Sequence, residues 1–360
     1  MNLNILVLPG DGIGTEVTRE AVRVLRHVAN KWNHAVNLTE GLLGGVAIHK
    51  CGTPLPPETE KLAAEADATL MGAVGLPEFD HVAPDKRPER GLLGIRKLLG
   101  VYANLRPVRA YASQLDSSPL KNQLVEGTDM IIVRELTGGI YYGTPRGITE
   151  SGAETRAVNT MTYTRSEIER VARMAFRLAR ARRKKVTSVD KSNVLENSQL
   201  WRRVVSEVAK EFSDVALDHM LVDNCAMQLI LNPRHFDILL TENMFGDILS
   251  DEGAVLAGSI GMLPSASIGD QKPSGAWVGL YEPVHGSAPD IAGQNKANPL
   301  GAIGSVAAML AYSFGLKQEA AAVEAAIEAV LKSGKVTADL RPAGPPATTE
   351  QVGAAVCAAI

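Results

Sequence analysis

Asp247 and Asp251 lie four residues apart in Glu242-Asn243-Met244-Phe245-Gly246-Asp247-Ile248-Leu249-Ser250-Asp251, whose apolar positions fit a helix. Residues at i and i+4 share a helical face, so the two carboxylates point the same way and repel. A cation between them relieves that repulsion, and oxygen donors select a hard ion of the Mg²⁺ or Mn²⁺ type. In isolation an Asp-x-x-x-Asp pair more often marks a solvated acidic face. The surrounding residues favour the metal site.

Arg96 and Arg106 sit in otherwise apolar surroundings, and Arg134 ends the buried-type run Met130-Ile131-Ile132-Val133. A cation at the end of a parallel strand lies where α/β sheets bind ligands. Guanidinium forks match carboxylates, so three of them suit a di-acid, although each alone reads as an ordinary ion pair. Tyr141 follows Thr137-Gly138-Gly139, and Lys191 follows the strand-like Val186-Thr187-Ser188-Val189 and Asp190. Near a divalent ion both are proton-transfer candidates, because a cation favours their deprotonated forms. Asp223 is a further carboxylate, which spacing alone does not join to Asp247.

These residues must be carried by an α/β chain. Strand-like runs at Ile5 to Leu8, Ala68 to Met71, Asp129 to Val133, Lys185 to Val189 and Phe236 to Leu240 alternate with helical patterns such as Thr15 to Ala29. That rhythm implies a largely parallel sheet. Ser166-Glu167-Ile168-Glu169 reads as a capping box opening a helix through Lys185. On that helix Arg170, Arg173, Arg177 and Arg180 form a charged side opposite Ile168, Val171, Ala175 and Leu178. The stretch from 138 to 163 predicts a two-stranded arm, and Leu300 to Tyr312 a packed helix. From 258 to 299, Gly, Pro, Ser and Ala predict a loop-dominated binding region, and a turn over 343–349 precedes a capped terminal helix.

With 360 residues, the chain exceeds the roughly 250–300 at which single cores stop growing, so two domains are expected. A formal charge of -3 gives no global attraction to nucleic acid or an acidic membrane, and the expected ligand is a small molecule. Cys51, Cys225 and Cys357 are too scattered for a disulfide framework or zinc cluster, and no basic, apolar leader opens the sequence. A reducing cytoplasm is the expected location. Gly10-Asp11-Gly12-Ile13-Gly14 follows a strand and precedes a helix, but Thr15 breaks the dinucleotide fingerprint, so a Rossmann reading is weak.

Taken together, the motifs resemble the isocitrate/isopropylmalate β-decarboxylating dehydrogenase family nearly end to end. They are Gly10-Asp11-Gly12-Ile13-Gly14; Glu89-Arg90-Gly91-Leu92-Leu93 with Arg96; Ala103-Asn104-Leu105-Arg106-Pro107; Arg134-Glu135-Leu136-Thr137-Gly138-Gly139-Ile140-Tyr141; Asp190-Lys191-Ser192-Asn193-Val194; the opening aspartate segment; and Tyr281-Glu282-Pro283-Val284-His285-Gly286-Ser287-Ala288-Pro289-Asp290. The resemblance implies a two-domain α/β fold distinct from Rossmann. Residues 1–105 and 259–360 form one domain, and residues 106–258 form a dimerising middle domain with a β-arm at about 137–165.

It further implies NAD-dependent oxidative decarboxylation of a substituted malate by a homodimer with shared active sites. Arg96, Arg106 and Arg134 grip the malate carboxylates; Asp247 and Asp251, with Asp223 of the second subunit, hold Mg²⁺ or Mn²⁺, and Asp223 also lies at the substrate. Lys191, likewise from the second subunit, is the base, and Tyr141 helps protonate carbon. Ile13, Glu282, His285, Gly286, Ala288, Asp290, Ile291 and Asn298 fall at the cofactor, where the Asp290 carboxylate favours NAD over NADP. Glu89, Leu92, Leu93 and Val194 select the substrate. The apolar Leu92, Leu93 and Val194 suit an isopropyl group, at about 0.8 kcal/mol per buried CH₂, over the extra carboxylate of isocitrate or homoisocitrate. A tartrate or D-malate dehydrogenase is the enzymatic alternative, and a ligand-binding regulatory subunit the non-enzymatic one. Thr15, Leu76, Phe79 and Asn295 depart from the common family pattern without touching a proposed catalytic group.

Overall fold

Strands and helices alternate along the chain in the computed structural model, which describes residues 1–83 and 86–360. The elements are β1 (Asn2–Gly10), α1 (Gly14–Lys31), β2 (Ala35–Glu40), α2 (Gly45–Cys51), α3 (Pro57–Glu65), β3 (Ala68–Ala73) and α4 (Pro88–Leu98). Then come β4 (Ala103–Arg109), the one-turn α5 (Asn122–Val125), β5 (Asp129–Glu135), β6 (Gly147–Ser151), β7 (Glu154–Val158), α6 (Arg165–Arg180), β8 (Lys185–Asp190) and α7 (Glu196–Ala209). They are followed by β9 (Ala216–Leu221), α8 (Val222–Leu231), β10 (Ile238–Thr241), α9 (Asn243–Leu256), β11 (Pro264–Gln271), β12 (Trp277–Pro283), α10 (Leu300–Tyr312), α11 (Lys317–Ser333) and α12 (Thr349–Ala359).

These elements form two units. The first comprises Met1–Val101, Ala110–Asn122 and Ala257–Ile360; the second comprises Tyr102–Arg109 and Gln123–Leu256. Residues 110–122 therefore belong with the first unit, not with the middle stretch expected from sequence. Ser117 Oγ donates to the Leu340 carbonyl at 2.7 Å and Gln114 Nε2 to the Leu331 carbonyl at 3.0 Å, which ties the segment there.

In the first unit the strands run β2-β1-β3-β12-β11, parallel except at β11/β12, which is not the Rossmann order. Leu6, Leu8, Leu43, Ala63, Met71, Ile95 and Leu280 form a core cluster in this unit, against which Leu92 packs. α1 contributes Val17, Ala21, Val24, Leu25 and Val28, all fully buried at helical spacing. α10 is buried nearly all round, and its small residues permit this. A Cβ at Gly301 would lie 2.8 Å from the Leu263 carbonyl oxygen, and one at Gly304 3.1 Å from Pro264 Cβ.

That packing explains a difference from the sequence reading. The region 258–299 is not loop throughout, because β11 and β12 pair antiparallel within it. The inner positions of β11 are Ser265, Ala266, Ser267 and Ile268, small residues that give little strand signal until a small-residue helix covers them. The longest loop in the region follows Pro283.

The second unit orders its strands β4-β5-β10-β8-β9, parallel except at β4/β5. Trp201, Phe176 and Phe236 are fully buried; Phe176 stacks on Phe212 at 5.2 Å, and Tyr163 meets Trp201 edge-on at 5.6 Å. The capping box of α6 is Thr164 with Glu167, two residues before the Ser166/Glu169 pair expected, because Thr164 is the last extended residue. α6 also stops at Arg180, well before Lys185. Arg182 and Arg183 turn to the buried Asp237, and Lys184 adopts φ 57°. The charged side of α6 is an ion-pair lattice: Arg165 binds Glu207, Arg173 binds Glu211, and Arg180 binds Asp214. β6 and β7 form a hairpin narrower than the arm expected over 137–165, with nearly every residue exposed.

Gly10 has φ +71°, and a Cβ there would stand 1.9 Å from the Ala73 carbonyl oxygen, on the strand paired with β1. Gly10→Ala combines left-handed strain with a backbone clash and is expected to destabilise the fold by about 3 kcal/mol or more. Urea unfolding reads this, and an unchanged midpoint would contradict it.

Candidate functional site

Two strand ends build the polar centre of the second unit. β5 and β10 are parallel neighbours with Arg134 opposite Thr241, so α9 starts beside Arg134. Its first turn is held by Glu242, whose carboxylate accepts from the backbone N–H groups of Met244 at 3.1 Å and Phe245 at 2.7 Å. The Tyr163 hydroxyl also donates to Glu242, at 3.1 Å. Gly246 lets the helix approach, because a Cβ there would lie 2.3 Å from Thr241 Oγ1 and 2.7 Å from the Arg134 side chain.

One turn further, Asp247 and Asp251 face two buried arginines. Arg134 Nη1 donates to Asp247 Oδ1, and its Nε donates to Asn243 Oδ1 at 2.9 Å. Arg106 Nη1 lies 3.5 Å from Asp247 Oδ1 and 3.7 Å from Asp251 Oδ1. Its orientation is set by Asn104 Oδ1, which accepts from Nε at 2.7 Å, and by Ser250 Oγ at 2.5 Å. The Tyr141 hydroxyl donates to Asp247 Oδ2 at 3.1 Å, and its ring lies 5.8 Å from the Arg134 guanidinium. Burial, reinforced by the Asp247 charge, pushes the Tyr141 phenol above its ordinary pKa and keeps it protonated. Asp251 is also pushed up, first by burial, against the opposing pull of Arg106 and with a push from Asp247. Crowded carboxylates of this kind fit a hard divalent ion, which lowers both proton affinities.

Lys191 and Asp223 form a separate centre. β8 and β9 are parallel with Asp190 opposite Leu221, so the residues just beyond both strand ends meet. Lys191 Nζ donates to Asp223 Oδ1 at 2.6 Å, and this lowers the Asp223 pKa. Among the described residues, no group of three or more His, Cys, Asp or Glu side chains is placed to hold a metal ion. Within one chain, Asp223 does not join Asp247 and Asp251. Val194 is exposed near Lys191.

In the first unit Arg96 is buried on α4 and donates to Glu282 Oε1 at 2.6 Å, joining two residues expected at substrate and cofactor. Leu92 and Leu93 are half-buried on the same helix, and Glu89 is exposed near its start. The 10–14 turn does not open as a phosphate loop. The Ile13 N–H donates to the Ser287 carbonyl at 2.8 Å, and Asp11 receives the N–H groups of Gly45, Val46 and Gly75 at 2.7, 2.8 and 2.9 Å. Ile13 therefore braces the segment that carries His285, Gly286, Ala288, Asp290 and Ile291.

His285 Nδ1 is bonded to the Gly286 carbonyl, while its buried Nε2 has no partner among the described residues. Burial pushes its pKa down, so the ring is neutral and offers one unfilled polar atom, which fits a heteroaromatic ligand such as adenine. A Cβ added at Gly286 meets nothing, so the backbone is open there. Ala288 has φ 37°, while Asp290 is exposed and Ile291 half-buried. Asn298 is buried and donates to Asp339. Asn295 adopts φ 56°, a conformation Asn tolerates, and its side chain accepts from the Glu350 N–H at the start of α12.

Several supporting residues carried no role in the sequence reading. Asn104 and Arg106 are i and i+2 on one strand face, a signal that period-2 reasoning could have found. Glu242 and Asn243 stand at a strand-to-helix junction, where capping groups concentrate. Tyr163 had no sequence signal, since it reaches α9 only through the tertiary fold.

Paired carboxylates thus face buried arginines, with a protonated tyrosine at the same carboxylate, on an α/β scaffold. Residues 4–356 match the isocitrate/isopropylmalate dehydrogenase family. A protein of Geobacillus kaustophilus described as 3-isopropylmalate dehydrogenase is 60% identical over 343 residues, covering 95% of this chain and 91% of that protein. Its namesake from Halalkalibacterium halodurans is 55% identical over 361 residues, covering 100% and 98%. The crystal structure of isocitrate dehydrogenase from Methylococcus capsulatus superposes with a TM-score of 0.87 at 34% identity, covering 99% of both chains. The chain belongs to the isocitrate/isopropylmalate dehydrogenase family.

Burial pushes the Glu242 carboxyl above its ordinary 4.5, against the donors that bond it. A group with a raised folded-state pKa contributes stability that is present below its unfolded value and lost as pH rises through the folded one. The wild type is therefore expected to lose stability relative to Glu242→Gln as pH is raised from 4.5 toward neutrality. Urea unfolding across that range checks it, and a constant difference would contradict it.

Proposed function

We propose that this protein is an NAD-dependent, divalent-metal-dependent dehydrogenase. It converts (2R,3S)-3-isopropylmalate to 4-methyl-2-oxopentanoate and CO₂ in leucine biosynthesis. The observation that carries the reading is the pairing of buried Arg106 and Arg134 with Asp247, Asp251 and Tyr141. It occurs in a chain 55–60% identical to proteins of that name.

Arg96, Arg106 and Arg134 bind the malate carboxylates, the last two held in orientation by Asn104, Ser250 and Asn243. Leu92 and Leu93 receive the isopropyl group, and a further carboxylate placed against them would be desolvated without a partner. Asp247, Asp251 and a second subunit's copy of Asp223 hold the ion, while His285 and Asp290 receive the adenosine. When bound, NAD⁺ would supply the acceptor for the C2 hydride and the divalent ion a Lewis acid for the C2 oxygen. Lys191 is the base that takes the hydroxyl proton. The bond from C3 to its carboxylate then breaks, releasing CO₂ and leaving its electrons in the enolate, and Tyr141 delivers a proton to C3 to give the ketone. Burial keeps the Tyr141 phenol protonated, so the proton is present to be given.

A homodimer with shared sites fits the surface of the second unit. Met227 and Leu231 on α8, with Ile248 and Val255 on α9, are 41–62% exposed on helices that pack together. An apolar face of this kind fits a second copy of the chain. The β6/β7 arm, with Ile148 exposed, fits the same partner. A cytoplasmic location accords with three free cysteines and, among the described residues, no helix long and apolar enough to cross a membrane.

A panel of 3-isopropylmalate, D-malate and tartrate with NAD or NADP, with and without EDTA, tests the reading. The highest kcat/KM is expected for 3-isopropylmalate with NAD, abolished by EDTA and restored by Mn²⁺. A preference for D-malate or tartrate would replace the substrate assignment, and absence of NADH formation with every substrate would favour a regulatory subunit.

A further inference from the structure

We propose that Asn243 is a positioning residue that fixes the substrate-binding Arg134 and the proton-donating Tyr141 through one side-chain amide. This inference rests on the proposed reaction.

Asn243 is 1% exposed at the first position of α9. Its Oδ1 accepts from Arg134 Nε at 2.9 Å, and its Nδ2 donates to the Leu136 carbonyl at 3.1 Å and the Gly138 carbonyl at 3.0 Å. Arginine only donates and a carbonyl only accepts, so the neighbours leave the amide a single orientation. Its backbone N–H donates to the Tyr163 hydroxyl at 2.9 Å, and that hydroxyl in turn donates to Glu242.

The turn that Asn243 grips leads directly to Tyr141. Glu135 anchors its start by accepting from the Thr137 and Gly138 N–H groups, and the Gly139 N–H donates to the Thr162 carbonyl at 3.1 Å. The centre is Gly138-Gly139, and larger residues are excluded there. A Cβ at Gly138 would lie 2.7 Å from the Tyr163 ring, and one at Gly139 2.5 Å from its hydroxyl. Two glycines give the turn freedom that no side chain of its own can restrain. The two Nδ2 bonds supply a restraint from outside, while Oδ1 holds the guanidinium that pairs with Asp247, the carboxylate Tyr141 also contacts. Arg134 and Tyr141 are thus indexed to the same rigid helix end.

The two halves of the amide separate experimentally. Asn243→Asp keeps an acceptor for Arg134 and loses both donors to the turn, so kcat is expected to fall at least about tenfold with KM for 3-isopropylmalate within about threefold. Asn243→Ala loses both halves, and KM is expected to rise as kcat falls. A double-mutant cycle gives an independent readout: in a Tyr141→Phe background, Asn243→Ala should lower the residual kcat far less than in the wild type. The inference is overturned if Asn243→Asp and Asn243→Ala change KM and kcat alike, or if Asn243→Ala lowers kcat by the same factor in both backgrounds. Failure of the wild type to turn over 3-isopropylmalate would instead refute the functional reading.

Discussion

The site in the second unit depends on two buried guanidinium groups facing two carboxylates on one helical turn. Arg106 and Arg134 are 6% and 3% exposed, so each charge needs compensation within the fold. Removing one partner of a buried ion pair commonly costs about 3–5 kcal/mol, because the remaining charge is stranded. This constraint explains the glycine at 246, the capping carboxylate of Glu242 and the acceptors Asn104, Ser250 and Asn243. All of them bring α9 to the strand ends at the separation the ion pairs require. The same arrangement leaves Asp247 and Asp251 close together, both within 4 Å of the Arg106 guanidinium.

Each unit places its groups by the same device, the ends of neighbouring strands. Arg134 meets the start of α9 because β5 and β10 are in register, and Lys191 meets Asp223 because β8 and β9 are. In the first unit Gly10 and Ala73 close adjacent strands, and Asp11 ties the following loops to the start of α2. Sheet register thus becomes side-chain geometry with few intervening degrees of freedom. Asn295 shows that a departure from the common family residue keeps this logic, since it adopts the left-handed conformation and adds a bond to α12.

Much of the fold was legible because periodicity is a local signal. β1, β5, β8, α10 and the capped α12 fall where apolar runs, small-residue helices and capping residues imply. β11 was missed because most of its buried residues are small and its strand character comes from the cover of α10. The α6 boundary was misplaced because two overlapping Ser/Thr-to-Glu spacings compete, and only the extended backbone at Thr164 decides between them. For the site, residue types named Arg134, Asp247, Asp251 and Tyr141. Glu242, Asn243 and Tyr163, which orient them, are joined by contacts about 80 to 110 residues apart in sequence that no spacing rule reaches.

We propose that one chain holds an incomplete centre, with Asp247 and Asp251 on one side and Lys191 with Asp223 to be supplied by a second copy. Mixing two inactive variants tests it most directly, Lys191→Ala with Asp247→Asn, denatured together and refolded. A hybrid dimer with shared sites contains one centre in which every group is intact, so the mixture should regain about a quarter of wild-type activity. Activity no greater than that of the separate variants would contradict the shared site.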